Sequence, residues 1–586
     1  MRKTMCILLC LALLMGILGA CGSTEASTGS APAEESVSSS SEAAAEQEAA
    51  SAGAEDAADP QASVLETSEF ETSELETSEL EASVGAAEPA HVLPLTDEDI
   101  TFTMFTGMNP NLMNYIDTYA ETAIIRWLTE TTGIKVEIPA IHPASEAEQW
   151  TLMAASGDFA DFMCSIGNYP GGAQGALDDG IIYDLNGFEE QMPYFFAMLE
   201  AYPEVAKDCL LDSGALPATY RVISGDYYVM DYGPVIRSDW LAELNMEVPA
   251  TYDEYYEVLK AFKTEYNATM WMSGSQSSIL SLGYNIRCGY TFGMTSGLDC
   301  FYLEDGVVMC GFYTEAFKDF LTMMQQWMAE GLIDPNFATV SCDYVSSDGN
   351  AFSAVTNNKH GIWKEEANGF TTYDGYDMEF TAAPIARHNA GDIISVENGK
   401  TRVDGIQFAI ATTCEHPELA AEWLDMWYSE EGTMVANWGL PGEGYELDEN
   451  GEPHYTELIT NNPDGLAMSF ARELYAAPTG GYMYDRSTIY SLWNEQQLSA
   501  AELWCQNVDN SMAMPSFMAR TTEESEEYAQ ISGDLVTYVS ETLSQLMLGE
   551  KNLEADLDNF IATLKEMGMD RLIEIQQASY DRYLSR

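Results

Sequence analysis

Positive charge is scarce in this 586-residue chain, and from Thr4 to Ile125 no lysine or arginine occurs at all. Over the whole sequence 24 basic residues face 95 acidic ones. The first 99 residues hold two of the basic and 20 of the acidic ones, so the remainder carries 22 against 75, a net charge of −53. With so little to neutralise phosphates, the balance argues against nucleic acid as a partner. Docking on an anionic membrane surface is disfavoured for the same reason. A strongly anionic ligand would need a local basic pocket, and the sequence displays none. A solvated acidic surface favouring solubility is the plainest reading of the excess.

Cysteine is sparse and scattered. Past residue 99 there are Cys164, Cys209, Cys288, Cys300, Cys310, Cys342, Cys414 and Cys505, without any C-x-x-C. The histidines, His91, His142, His360, His388, His416 and His454, show no zinc-type pairing. A nucleophile elbow and a phosphate loop are absent as well. Two carboxylates at a glycosidase separation are easy to find by chance among so many acids, and carry little weight. The chain therefore reads as a non-enzyme that needs no cofactor. No apolar run after residue 21 is long enough to span a bilayer.

What is present begins at the amino terminus. Arg2 and Lys3 precede a compact apolar stretch from Cys6 to Leu18, too short for a comfortable bilayer helix and suited to a signal-peptide core. Leu18-Gly19-Ala20-Cys21 resembles the lipobox of bacterial lipoproteins. That resemblance implies a diacylglyceryl group on the Cys21 thiol and cleavage just before it, so that residues 1–20 are a lipoprotein signal peptide. More than one acyl chain gives stable anchoring where a single chain does not.

Residues 21–96 hold the acylated cysteine and a tether of Ala, Ser, Glu, Thr and Gly, with Phe70 the one Phe, Tyr or Trp. "LETSEFETSELETSELEAS" repeats every five residues, with Leu65, Phe70, Leu75 and Leu80 as its sizeable apolar side chains. A period of five matches neither a helix face nor strand alternation. The segment cannot bury enough surface to offset its ordering entropy and reads as disordered. As flexible coil it would span about 45–50 Å r.m.s., more with charge repulsion.

The body alternates strand and helix. "ITFTMFTG" (Ile100–Gly107) is a strand, "YIDTYAETAIIRWLTETTG" (Tyr115–Gly133) a helix closed by glycine, and "IKVEIPAI" (Ile134–Ile141) a second strand. The helix "EAEQWTLMAASG" and the run "FADFMCSIG" follow. That order implies parallel pairing with helical crossovers, hence an α/β lobe. A second, helix-rich region starts at "YGPVIRSDWLAELN"; "MEFTAAPI" and "GIQFAIATT" are late strands, and the end of the chain is largely helical. "CFYLEDGVVMC" reads as a hairpin setting Cys300 opposite Cys310, either as a disulfide or as free buried thiols.

Here a resemblance becomes specific. "DWLAELNMEVPATYDEYYEVLKAFK" (Asp239–Lys263) is similar to a segment of the family 1 extracellular solute-binding proteins of ABC importers. Independently of any family, Thr251 can cap a helix there with Glu254 at N3. "ASGDFADFM" resembles the family's Ser-Gly-Asp then Pro-Asp motif, with Ala160 in place of the usual Pro. "EGLIDPNFA", "HPELAAEWLDMWYSEEG", "NWGLPGEGYELDENGEPHYTE" and "MGMDRLIEIQQASYDRY" also match, in the family's order, so the likeness runs from residue 97 to 586. It implies an α/β, two-lobed periplasmic-binding-protein-like fold with a hinge and an interlobe cleft. The expected parts are 97–234 and a return segment 377–434 for lobe 1. Lobe 2 would take 235–376 and the C-terminal helical part 435–586.

A cleft that binds sugars needs flat apolar faces and planar polar groups, placed where strands end in turns. Asn109, Asn168, Tyr169, Trp271, Ser273, Trp363, Trp438, Glu443 and Tyr445 meet that description. Trp363 lies where family members often carry an aromatic platform. Core packing competes at every aromatic; for Trp240, Trp327 and Trp423 packing is the expectation, and for Arg237 with Asp239 a structural ion pair. In "ELDENGEPHYTE", Glu446, Asp448, Asn450 and Glu457 fall at positions one, three, five and twelve of an EF-hand-like calcium loop. Glu at position one and Pro453 inside the loop favour an Asn-Gly hairpin instead. The resulting expectation is a monomeric, lipid-anchored substrate-binding subunit on the extracytoplasmic face of the cell membrane. It would capture an oligosaccharide or other small solute for ABC permease transmembrane subunits, touching the membrane only through its lipid. A surface-tethered glycan-degrading enzyme or an adhesin is the alternative.

Overall fold

The computed structural model describes residues 90–586 apart from 226, 229–230, 271–299, 336–352, 354, 390, 396–401, 477–479 and 510. Cys21, the signal segment and the five-residue repeat lie outside the described residues, as do Trp271 and Ser273. Among the described residues no helix is long and apolar enough to cross a membrane.

Alternation in the first strand is realised in β1 (Thr101–Phe105), where Phe102 and Met104 are buried and Thr101 and Thr103 exposed. The helix expected from Tyr115 is broken. Thr118 caps a single 3-10 turn at Tyr119–Glu121 in a reciprocal capping box, and extended Thr122 (ψ 153°) separates that turn from α1 (Ala123–Thr132). Capping satisfies N–H groups that an uninterrupted helix would satisfy internally, so the apolar periodicity survives the break. Gly133 ends α1 at φ 79°, a conformation that costs glycine nothing. Then come β2 (Lys135–Glu137), α2 (Pro143–Ser156) and β3 (Phe162–Met163). β1 pairs in parallel with β2 and with β3, as helical crossovers require.

α3 (Pro203–Cys209) and β4 (Tyr220–Ser224) lead to β5 (Tyr232–Arg237). α4 (Tyr252–Tyr266) carries the Thr251/Glu254 capping box that its sequence implies. β6 (Thr269–Met270), the hairpin of β7 (Phe301–Glu304) and β8 (Val307–Cys310), α5 (Glu315–Ala329), β9 (His360–Glu366) and β10 (Phe380–Ala382) follow. A mixed sheet forms in the order β10-β5-β9-β6. The chain then returns through β11 (Val403–Ile406), antiparallel to β4, and β12 (Ala409–Ile410), antiparallel to β3. α6 (Pro417–Asp425), α7 (Glu430–Trp438), the hairpin of β13 (Tyr445–Leu447) and β14 (Pro453–Tyr455), α8 (Met468–Tyr475) and β15 (Met483–Asp485) continue on that side. α9 (Glu495–Trp504), α10 (Thr522–Met547), α11 (Leu553–Glu566) and α12 (Met569–Leu584) complete the chain.

Buried side chains gather into separate cores. The first joins β1–β4 to β11, β12 and α6–α8, from Phe102 to Tyr484. The second joins α4, α5 and the β7–β8 hairpin to α10–α12, from Ile236 to Ile575. A smaller aromatic core, including Trp363, Tyr373, Trp493 and Trp504, lies between α9 and the sheet of β5, β9 and β10. Val435, Leu466, Leu474 and Tyr482, expected in the second lobe, pack in the first core. Ala383 and Ala386, expected in the return segment of the first lobe, pack in the second. A sequence boundary cannot anticipate this, because β15 adds to β4 in parallel and β10 adds to β5, pairings between segments far apart in the chain.

Two ends of the described chain bind the first core. At the amino end, the Ala90 N–H donates to Tyr194 Oη (3.0 Å) and His91 Nε2 pairs with buried Asp425 Oδ2 (2.8 Å). Leu95 N–H donates to Thr132 O (3.0 Å). At the carboxyl end, α12 leaves the second core and reaches α3 and the loop after it. Asp212 accepts from Arg582 Nε (2.7 Å) and from Arg586 Nη2 (2.7 Å), and Tyr583 Oη donates to Asp208 (2.7 Å).

Cys300 and Cys310 are both buried thiols, with Sγ atoms 3.7 Å apart and no disulfide between them. Strand register explains this: Phe301 pairs with Cys310, so the two thiols sit diagonally across the hairpin. Glu446–Glu457 forms the Asn-Gly hairpin, with Gly451 at φ 88°. The carboxylate of Asp448 accepts the Asn450 and Glu452 N–H groups (2.8 and 2.9 Å). Glu446 stands across β13–β14 from His454 while Glu457 begins a separate helical turn. Among the described residues no group of three His, Cys, Asp or Glu gathers to hold a metal.

Candidate functional site

Ligands of open α/β sheets bind beyond the carboxyl ends of strands. β4 and β15 run parallel and end side by side at Ser224 and Asp485. From there one segment crosses to β5 and the other to α9, both in contact with the smaller aromatic core. β9 ends beside the start of β5, with Glu366 paired to Tyr232 and the Ala367 N–H donating to Asp231 O (2.8 Å). Three strand ends from two cores thus converge on one seam.

Aromatic faces line it. The rings of Tyr228 and Trp493 lie parallel (9°) with centroids 6.2 Å apart, and Tyr490 meets both at 4.9 Å. Tyr228 N–H donates to Tyr490 Oη (3.1 Å), and Trp493 Nε1 to Asn368 Oδ1 (2.6 Å) on the far side. Tyr228 and Tyr490 are half-buried and Asn368 exposed. Burial pushes both tyrosine hydroxyls above their ordinary pKa; Glu502 adds to the rise at Tyr228, while Arg486 opposes it at Tyr490. They remain neutral donors and acceptors at physiological pH.

Polar groups are fixed among these rings. Arg486 Nη2 pairs with Asp231 Oδ2 at 3.0 Å, with side chains 9% and 8% exposed. Its guanidinium lies 5.9 Å from the ring centroids of Tyr484 and Tyr490. Arg486 Nε is buried without a hydrogen-bond partner among the described residues. Such a seam offers flat apolar faces beside preset donors and acceptors, the equipment for a polyhydroxylated ligand.

A second concavity belongs to the first core alone. A cavity of about 280 Å³ opens beside the chain between β1 and α1. Tyr115, Arg126, Glu443, Asp464 and Tyr475 are among its walls. Arg126 forks onto Glu443, with Nη1–Oε2 at 3.1 Å and Nη2 against Oε1. Next to it, Glu473 accepts from Asn109 Nδ2 (2.7 Å) and Tyr119 Oη (2.6 Å), tying the carboxyl end of β1 to α8.

The residues singled out from sequence divide accordingly. Glu443 stands in the wall of this cavity and Asn109 donates to Glu473 on α8, whereas Asn168 is exposed on a separate turn. Tyr169 Oη donates to Asp179 Oδ2 (2.9 Å) and its ring meets Trp150. Trp438 packs on Tyr455 (4.8 Å), and Tyr445 pairs with Tyr455 across the hairpin. Trp363 is corrected: at 1% exposure it sits against Tyr373 and Phe380 in the aromatic core, because β9 is an interior strand covered on that face by α9. Arg237 Nε donates to Asp239 Oδ1 (2.8 Å), a structural pair beneath Trp240. The reading missed Tyr228, Tyr490, Trp493, Arg486 and Asp231. "DRSTIYSLWN" places Arg486, Tyr490 and Trp493 four and three residues apart, a helical-face spacing that could have revealed them.

The described residues thus form a two-lobed α/β body with an aromatic, polar seam between its cores. No family model matches the chain. It is 22% identical over 495 residues to the fructooligosaccharide ABC transporter substrate-binding protein FusA of Streptococcus pneumoniae serotype 4, covering 79% of this chain and 87% of the relative. Lipoprotein LipO of Bacillus subtilis is 21% identical over 488 residues, 77% of this chain and 87% of LipO. In structure, a human-milk-oligosaccharide (HMO)-binding, ABC-transporter-associated solute-binding protein from Bifidobacterium longum infantis superposes with a TM-score of 0.67 at 19% identity, covering 83% of this chain and 99% of that one. Over 79% of its length the chain is thus similar to an ABC transporter substrate-binding protein, and it shares the fold of a solved solute-binding protein.

Proposed function

We propose that this chain is the substrate-capturing subunit of an ABC importer for an oligosaccharide, that it catalyses no reaction, and that acyl chains on Cys21 hold it at the extracytoplasmic face of the membrane. The observation that carries the reading is the seam, where Tyr228, Tyr490 and Trp493 flank the Arg486–Asp231 pair at the junction of two cores. Likeness over 79% of the chain to a fructooligosaccharide ABC transporter substrate-binding protein supports the sugar class. The lobes would follow the packing, with residues 90–224, 403–485 and the rest of the chain as two halves. Ligand that contacts both halves favours the closed form, since only differential contact shifts such an equilibrium. The closed form would engage the permease.

Thermal unfolding across a panel of oligosaccharides tests this. A ligand at about 100 times its Kd adds about 2.7 kcal/mol of stability, a clear rise in Tm. New reducing ends during incubation would instead show a hydrolase. Absence of any Tm shift at millimolar saccharide would remove the sugar assignment. For the anchor, Cys21→Ala should release the protein from the membrane fraction into the medium.

A further inference from the structure

Resting on that reading, we infer that the cavity beside α1 is a subsite for one uncharged sugar unit, and that its charge makes the protein select neutral over uronic-acid oligosaccharides. At about 280 Å³ it lies just below the roughly 300–1,000 Å³ of sites that enclose drug-sized molecules, so it fits a single ring. Tyr115 and Tyr475 bring aromatic rings to its wall, and Glu443 with Arg126 planar polar groups, the residue types that a pyranose or furanose requires.

Charge decides the class. Glu121, Glu443 and Asp464 stand around the cavity against Arg126. Arg126 is already forked onto Glu443, leaving two carboxylates without a cation in the cavity wall. Glu473 adds another carboxylate behind Asn109 and Tyr119. Tyr475 responds to this field: after burial, Glu443 and Asp464 push its hydroxyl above the ordinary value, with Arg126 opposing. At the seam too the guanidinium is engaged, Arg486 with Asp231. A uronate would enter a negative field with no cation in the cavity wall free to take its carboxylate, whereas hydroxyl groups use the same carboxylates as acceptors.

The test uses the full chain, with 1-kestose and maltotriose as neutral probes and trigalacturonate as the anionic one, measured by calorimetry at low and high salt. At least one neutral probe should bind. Trigalacturonate should bind more weakly by about tenfold or more at low salt, with the gap narrowing as screening rises. Tyr115→Ala should weaken the neutral probe by about tenfold. Because Tyr115 is 45% exposed, the fold survives its truncation, and an unchanged Tm without ligand checks that. Asp464→Lys, at an exposed position, should raise trigalacturonate affinity by about tenfold. Unchanged neutral affinity in Tyr115→Ala would show that the cavity is not a subsite. Preferential binding of trigalacturonate by the unaltered chain would overturn the charge argument while leaving oligosaccharide capture intact. If neither class binds, the parent reading fails and the inference with it.

Discussion

Breaking the Arg486–Asp231 pair should destabilise the protein severely, while replacing both partners should not. The pair joins the two crossing segments, Asp231 just before β5 and Arg486 just after β15, with about nine-tenths of each side chain buried. At 3.0 Å their attraction is about 5–6 kcal/mol at an effective dielectric of about 20. Desolvation of the two ions consumes several kcal/mol each, so the net value of the pair is near zero. Asp231→Ala leaves a buried guanidinium, whose Nε already lacks a partner, without its counter-charge. The expected loss is about 3–5 kcal/mol. Arg486→Met combined with Asp231→Ala removes both charges and lets the methionine pack between the Tyr484 and Tyr490 rings, recovering about 2 kcal/mol or more relative to Asp231→Ala. Urea unfolding followed by both tryptophan fluorescence and circular dichroism measures each variant, two probes being needed because two lobes need not unfold together. A single variant within about 0.5 kcal/mol of the parent, or a double variant less stable than both singles, would refute the reasoning.

Two further outcomes follow from local geometry. Burial lifts the Glu365 carboxyl to about 7 although Tyr373 Oη (2.6 Å) and the Glu366 N–H (3.1 Å) donate to it. The folded state thus keeps a proton that the unfolded chain releases near 4.5, so stability falls by up to about 3 kcal/mol as pH rises from about 4.5 to about 7. Glu365→Gln should flatten the pH dependence of Tm in that window; an unaltered slope would contradict the assignment. Gly439 sits at φ 85° with Tyr475 O only 1.9 Å from where a Cβ would stand. Gly439→Ala should cost about 2–4 kcal/mol and, by displacing the end of α8, weaken sugar binding; retained stability and affinity would count against that contact.

Local signals carried much of the fold into the sequence. Alternation in β1, the Thr251/Glu254 box of α4 and the late strands β10–β12 are each set within a few residues, where side-chain periodicity and capping act. Trp363 shows the limit. Its turn-adjacent position suited a ligand platform, yet burial depends on α9, more than a hundred residues away. The seam was legible only in the spacing of Arg486, Tyr490 and Trp493; that Tyr228 and Asn368 join them depends on contacts between segments more than a hundred residues apart. Glu443 was legible as a loop residue that glycines allow to approach a ligand, but its partner Arg126 was not.

The strap of Ala90–Leu95 fixes where force enters the molecule. Its hydrogen bonds to Tyr194, Asp425 and Thr132 fasten this end of the described chain to the first core. Were the chain upstream anchored as proposed, tension from that direction would be carried by the first core, like a gate hung from its post. The other leaf, swinging on the crossing segments as the proposed closure requires, would then not work against the pull.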